Sequence, residues 1–577
     1  MSHFLYNSDY DEDEDYEQDT SESEPEEDDG LRRFSSKVCR VQFANNEHTS
    51  DEYEIEDPED LVLNQLEKQP KSDDYVFAWF GTVFKYLHQT RSLPPGPWGL
   101  PIVGSLPFLK GDLHLHFRDL TQKYGSLLST RLGSQLIVVL SDYKMIRDAF
   151  RKEEFTGRPS TEFTSILEGY GIINTSGKLW KDQRRFLHDR LRRFGMTYIG
   201  ARKTQMENRI MTEVEEFLCI LRAKKNSPID FNPILAVSIS NVICDIIMSV
   251  RFSHNDARFR RFMDLIDEGF RLFGSLEAAV FIPILRYLPG LQKTREQISK
   301  NRQEMGQFLQ ETINEHRKTF DPSHLRDLLD TYLFEIQKAN EEGTGHHLFD
   351  GRDHDRQMQQ IMGDLFSAGM ETIKNTLLWS ILFMLHYPEV MKSIQEELDQ
   401  VVGRKRLPKL EDLSYLPITE ATICEVMRVS SIIPMGTTHA PTHDIHLNGF
   451  SVPHNAQVVP LLHAVHMDPN LWDEPDKFNP SRFIDGEGKV NKPEYFIPFG
   501  VGRRMCLGEI LARMEVFLFF STLLHTFELS VPEGEKLPSL KGNAGVTIFP
   551  DTFKVCVKPR PLEGDHTSST IRSAGSH

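Results

Sequence analysis

Apolar positions along most of this chain recur at helical spacing, and only a few stretches alternate or run as strands do. The clearest helical pattern lies between Asp355 and Leu385, where Ile361, Leu365, Phe366, Met370 and Ile373 fall on one side. Ala368-Gly369 sits in its middle. A mid-helix glycine costs about 1 kcal/mol relative to alanine, so this one points to close approach of another group. Leu136–Leu140 (LIVVL) and Gln457–Pro460 read as strands, and the charged, proline-containing stretch Asp473–Phe483 as irregular. The expected fold class is mostly α with a minor β-sheet. At about 150 residues per domain, 577 residues would suggest roughly four domains. Yet no Ser/Gly-rich linker and no fixed-period repeat breaks the pattern from about Pro94 to about Arg560. One large domain, 94–560, is the simpler expectation.

The flanks differ in kind. Residues 1–60 hold 22 Asp+Glu and 4 Lys+Arg, so nearly all of the formal charge of −19 belongs there. The other 517 residues hold 63 acidic and 62 basic side chains, which gives no ground for a nucleic-acid partner. An arm over 1–74, with like-charge runs at Asp11–Tyr16 and Ser21–Asp29, is expected to be disordered, a solvated tail or alternatively a docking arm. A tail over 561–577 is expected to be disordered as well. Within 75–93, Tyr75–Phe84 (YVFAWFGTVF) is a run of 10 apolar or small residues stopped by Lys85. A spanning helix needs about 20, so this aromatic segment suits an anchor in the membrane interface. No secretory signal heads the chain, and the acidic start contradicts a transit peptide. Pro94, Pro95, Pro97 and Pro101 then make a stiff elbow. Six widely spaced cysteines argue against a disulfide framework and against zinc, and fit a reducing compartment.

One cysteine stands apart. In Phe499-Gly500-Val501-Gly502-Arg503-Arg504-Met505-Cys506-Leu507-Gly508, it lies in a glycine-rich loop feeding a helix expected to begin near Leu507. A thiolate is the form that binds metal, and a helix N-terminus with nearby arginines lowers a thiol's pKa. Glycines let the backbone approach a flat cofactor. The loop resembles the haem-binding loop of the cytochrome P450 family, F-x-x-G-x-R-x-C-x-G, at every fixed position. The resemblance implies the cytochrome P450 fold, haem b with Cys506 as its thiolate iron ligand, Arg504 on a propionate, and Phe499 and Gly508 shaping the surroundings of the sulfur.

Other motifs fall in the family's order. Glu425 and Arg428 alone would suit a surface pair worth a few tenths of a kcal/mol. With Arg482 of Pro480-Ser481-Arg482-Phe483 they resemble the family's buried structural triad, although Ser481 stands where Glu is commoner. Ala368-Gly369-Met370-Glu371-Thr372 resembles the oxygen-activation sequence. This implies Glu371 and Thr372 as the catalytic acid–alcohol pair that delivers protons, with Gly369 making room beside the cofactor. Trp180 and Arg184, at i, i+4, match W-x-x-x-R toward the propionates, and His439 falls where relatives often place another propionate ligand. Ile432, Ile433 and Pro434, the Val546 turn Gly545–Thr547 and the loop Thr161–Ile173 would line the substrate chamber. Basic residues crowd Lys181–Arg193 and Arg503–Arg504, a field suited to an acidic electron donor.

The elbow implies the microsomal type, on the cytosolic face of the endoplasmic reticulum membrane, reduced by NADPH–cytochrome P450 reductase. Microsomal members begin with an anchor of about 20 apolar residues; here an interfacial anchor, a soluble form and a misjoined first exon all remain open. Arg91–Pro101, Phe499–Gly508, Arg513–Phe520 and Leu537–Gly542 resemble the ecdysteroid 26-hydroxylases of arthropods most. That implies side-chain hydroxylation of a lipophilic steroid and oxidation on to the acid. The alternatives are ecdysteroid 25-hydroxylation, a different lipophilic substrate, or a non-catalytic haem-binding or interaction protein.

Overall fold

The computed structural model describes residues 92–275, 281–282, 285, 287–343 and 347–560. The acidic arm, the apolar segment up to Arg91 and the tail after Arg560 lie outside the described residues. In chain order the helices are α1 (Leu113–Tyr124), α2 (Tyr143–Phe150), α3 (Glu162–Leu167), α4 (Gly177–Arg193), α5 (Ala201–Ala223), α6 (Asn232–Met248) and α7 (Ala257–Ser275). They continue as α8 (Pro289–Thr319), α9 (Leu328–Glu342), α10 (His354–His386), α11 (Pro388–Val401), α12 (Pro417–Ser430), α13 (Leu462–His466) and α14 (Glu509–Thr526). Strands are few and short: β1 (Leu127–Leu132), β2 (Gln135–Leu140), β3 (Ile445–Leu447), β4 (Phe450–Val452), β5 (Gln457–Pro460), β6 (Phe527–Ser530), β7 (Asn543–Ala544), β8 (Ile548–Phe549) and β9 (Cys556–Pro559). The fold is mostly α with minor sheets, as the periodicity implies.

Helix α10 organises the core. Asp353 caps it by accepting from the Arg356 N–H, which satisfies one of the helix's unpaired donors. At 1.5 Å per residue its 33 residues run for about 50 Å. From Ile373 to Leu385 every side chain is buried, so this half is a central strut rather than an amphipathic surface helix. Helices α6, α8, α12 and α14 pack around it. A side chain at Gly369 would place its Cβ 2.6 Å from Cδ1 of Ile243 on α6. The glycine therefore serves close packing of α6 against α10.

Strands β1, β2 and β5 form the largest sheet, β1–β2 antiparallel and β2–β5 parallel. The proline elbow is laid along it: Ser129 donates to the Pro94 carbonyl through Oγ at 2.7 Å and to the Pro95 carbonyl through N–H at 2.9 Å. A Cβ on Gly96 would fall inside the Ser129 carbonyl, so only glycine lets the elbow lie this close. Asp473–Phe483 is irregular apart from a short turn of 3-10 helix at Pro480–Phe483. Among the described residues, no helix is long and apolar enough to cross a membrane.

Candidate functional site: an enclosed thiol between α10 and α14

The Cys506 loop is built on glycine geometry. Gly500 and Gly502 have φ of 74° and 79°, and a Cβ on Gly502 would lie 2.2 Å from the Phe150 carbonyl oxygen. The same carbonyl accepts from the Arg503 N–H, and the Cys506 N–H closes the loop onto the Phe499 carbonyl, both at 3.0 Å. Helix α14 begins at Glu509, two residues later than the sequence suggests, with Gly508 as its N-cap. The Cys506 side of the loop is accessible, yet burial pushes its thiol up to about 11. An accessible group that is nonetheless strongly desolvated faces an enclosed space, not bulk water. The Gly508 N–H and the charges of Arg184 and Arg513 pull the thiol down as expected, but burial outweighs them. Ionisation therefore asks for a cation at the sulfur itself, which a bound metal supplies.

A cationic end adjoins the loop. The Arg504 guanidinium stacks over the Trp180 ring with its Cζ 4.2 Å from the centroid, and donates to the carbonyls of Thr156, Ile173 and Thr175. Arg158 donates to the carbonyls of Ile173 and Thr438 and to the Thr437 hydroxyl. Burial pushes Arg158 down to about 10 and Arg504 to about 7, with Arg184 adding repulsion to both. Arginines stay protonated in proteins, so these pulls express a strong demand for an anion. His439 is stacked on Phe150 at 3.8 Å and buried, and neither ring nitrogen makes a hydrogen bond of good geometry. Burial, then Arg158 and Arg504, hold its pKa well below the usual range, and a weak Thr437 main-chain contact offsets little. An orphaned buried imidazole beside desolvated arginines fits a ligand carrying carboxylates, such as the propionates of haem. The structure brings together Trp180, Arg184, Arg504 and His439, as the motifs imply. Arg158 has no motif signal and emerges only from the fold.

Across the cavity stands α10. A small cavity of about 50 Å³ is walled by Thr372, Ile373 and Thr376 of α10, by Ile432 and Ile433, and by Pro498 and Phe499 of the loop with Ala512 of α14. Thr372 and Phe499 thus line one slot from different elements. The Thr372 hydroxyl donates to the Ala368 carbonyl at 2.7 Å. Glu371 points elsewhere: it accepts from Asn375 at 2.8 Å and pairs with Lys374 at 2.5 Å. Pro434 and Val546 do not line this slot. Pro434 is buried and its carbonyl accepts from the His463 N–H, while Val546 is 45% exposed. The loop toward Ile173 is tethered to α10 instead of hanging free: Asp364 accepts from the N–H groups of Ile172 and Ile173 at 2.8 and 3.1 Å.

Glu425 and Arg428 are fully buried and form a two-pronged pair, 2.8 Å on each side, which Arg482 joins at 3.0 Å. Removing one member of a buried pair costs about 3–5 kcal/mol. Arg428 also donates to the His466 carbonyl. The His466 ring accepts from the Ile497 N–H through Nε2, so Nδ1 carries the proton and meets the Ser431 hydroxyl at 3.0 Å. His466, also without a sequence signal, therefore links the triad to the strand of chain leading into the Cys506 loop.

The basic crowd around α4 is less bare than its sequence suggests. Lys181 pairs with Glu153, Arg185 with Asp182, Arg190 with Glu335 and Arg193 with Asp189. Arg184 and Arg504 belong to the interior cationic end. The external field is correspondingly weaker.

An enclosed single thiol on a glycine loop, a carboxylate-seeking arginine cluster and a slot under a long central helix define a haem-thiolate protein. Comparison with known proteins agrees: the Cytochrome P450 family model matches residues 94–557, and the chain belongs to the cytochrome P450 family. It is 57% identical to Cytochrome P450 18a1 of Drosophila melanogaster over 513 residues, covering 87% of this chain and 95% of that protein. Cytochrome P450 2U1 of Rattus norvegicus is 36% identical over 496 residues, 81% and 91% of the two chains. Cytochrome P450 2B19 of Mus musculus is 37% identical over 470 residues, 80% and 93%. The chain is thus a monooxygenase of this family.

Proposed function

We propose that this monooxygenase hydroxylates an ecdysteroid at C26 and carries the product on to the acid, using dioxygen and electrons from NADPH–cytochrome P450 reductase. The observation that carries the catalytic reading is the slot with Thr372 on one wall and the Phe499–Cys506 loop on another. Haem b, when bound, supplies the oxygen-activating chemistry, and a thiolate ligand favours O–O cleavage. This chain's residues do the rest. Cys506 provides the sulfur, Arg158, Arg184, Arg504, Trp180 and His439 hold the carboxylate end, and Glu371 with Thr372 manages protons. Ile373, Ile432 and Ile433 give the slot the apolar wall that a lipophilic steroid needs.

The substrate assignment rests on the four stretches that resemble ecdysteroid 26-hydroxylases. Association with the endoplasmic reticulum surface is part of the same reading. It is supported by Trp98, Leu100, Ile102 and Phe108, large apolar side chains exposed shortly after the aromatic segment. Incubating the reconstituted enzyme with labelled ecdysone tests the proposal. A 26-hydroxylated product followed by an acid is the expected outcome; conversion of an earlier precursor alone would assign 25-hydroxylation instead.

A further inference from the structure

Lys374 lies on α10 three residues after Glu371, and its side chain is only 6% accessible. Lysine is seldom fully buried unless paired, and this one has two acids. Its Nζ is 2.5 Å from Oε2 of Glu371 and 3.9 Å from Oδ1 of Asp267 on α7. The near contact is a pairing of charges, since Oε2 accepts no hydrogen bond of good geometry. The other oxygen of Glu371 accepts from Asn375 at 2.8 Å and from the Thr547 hydroxyl at 3.4 Å. Asn375 in turn donates to Thr547 at 2.9 Å. Glu371 is therefore gripped from its own helix and from the turn between β7 and β8, with one charged partner among neutral ones. Asp267 is 59% accessible by its side chain, yet burial raises its pKa. Lys374 pulls that pKa down and Glu371 pushes it up, so one buried cation serves two carboxylates.

We propose that Lys374 is a positioning residue, whose ammonium fixes the Glu371 carboxylate against Asn375 and Thr547 so that the acid beside Thr372 holds one arrangement during turnover. The inference rests on reading Glu371 and Thr372 as the proton-delivery pair. Without the cation, a buried carboxylate becomes costly and must be resolvated, protonated or moved.

Product formed per NADPH consumed is the deciding ratio, measured on the haem-loaded enzyme for Lys374→Met, Lys374→Arg, Glu371→Gln and the Met/Gln double variant. Lys374→Met is expected to lower it by about tenfold, one power of ten below the smallest usual general acid–base contribution. Lys374→Arg restores it. The double variant is no worse than Glu371→Gln alone, because a residue acting through its partner loses its effect with that partner. A crystal structure of Lys374→Met shows the Glu371 carboxylate displaced from Asn375 and Thr547. An unchanged ratio in Lys374→Met, with a lowered one in Glu371→Gln, overturns the inference and leaves the proton-delivery reading standing. An unchanged ratio in Glu371→Gln overturns that reading itself. Lys374→Gln takes the same comparison if the Met variant does not fold.

Discussion

At the scale of single residues, the loop leaves Cys506 accessible and yet raises the pKa of its thiol. Burial holds the free thiol at about 11, so a thiolate here would depend on a bound metal cation. Serine in that place offers a harder oxygen with a higher pKa. Cys506→Ser is expected to abolish the thiolate-type spectrum of the reduced carbon monoxide complex, and retention of that spectrum would remove Cys506 as the ligand. Thr372→Ala leaves the sulfur alone and should keep the spectrum while NADPH use outruns product. Cys506, Arg504 and the Glu425–Arg428 pair were picked out in the sequence by their resemblance to family motifs; the i, i+3 spacing of Glu425 and Arg428 alone would have suited a surface pair. Arg158 was not. Its place beside Arg504 arises because both donate to the Ile173 carbonyl, a meeting that no spacing along the chain encodes. Gly369 was legible as a close approach, but the partner is Ile243, which only packing reveals.

At the scale of elements, α10 and the loop before α4 act as a unit. Asp364 lies two turns before Thr372 and receives the N–H groups of Ile172 and Ile173, with Gln360 as a third donor. Burial raises its carboxyl, which these hydrogen bonds pull back down. The Ile173 peptide is thus held at its N–H by α10, while its carbonyl receives Arg158 and Arg504. Asp364→Ala strands two buried N–H groups, each costing about 1–3 kcal/mol. A lower thermal midpoint and faster haem loss from the purified protein are expected; unchanged haem retention would show that the tether does not reach the arginines. Helix periodicity gave α10 to within a residue, since burial follows local pattern. The tether escaped it, since a carboxylate reading loop N–H groups leaves no periodic trace.

At the scale of the molecule, buried histidines set its response to acid. His463 and His466 are pushed down to about 3 and His525 to about 4, in each case chiefly by burial. The folded state favours the neutral rings, so their contribution to stability is full above the ordinary histidine value of 6.5 and is lost as pH falls from there toward 3–4. At pH 5 each withdraws about 2 kcal/mol. Asp364 and Glu397, whose carboxyls burial raises, regain part of that as they take up protons. The thermal midpoint is expected to drop between pH 6.5 and 5, and less steeply in His463→Leu, because neither ring nitrogen of His463 has a partner to lose. An identical slope would assign the acid response to other groups. The unbroken pattern from about Pro94 to about Arg560 was visible in the sequence. The sparing external charge around α4 was not, because its acids come from elsewhere in the chain as well as from α4 itself.

The run of bonds from Glu425 through Arg428 and His466 to Ile497 has a consequence for reading variation in this protein. It puts a support in series with the cysteine loop. A screen scored by turnover alone would rank substitutions at Glu425 beside those at Cys506, although one group breaks a scaffold and the other removes the proposed ligand. Only a second score, the amount of folded protein recovered, separates damage to the building from damage to the machine.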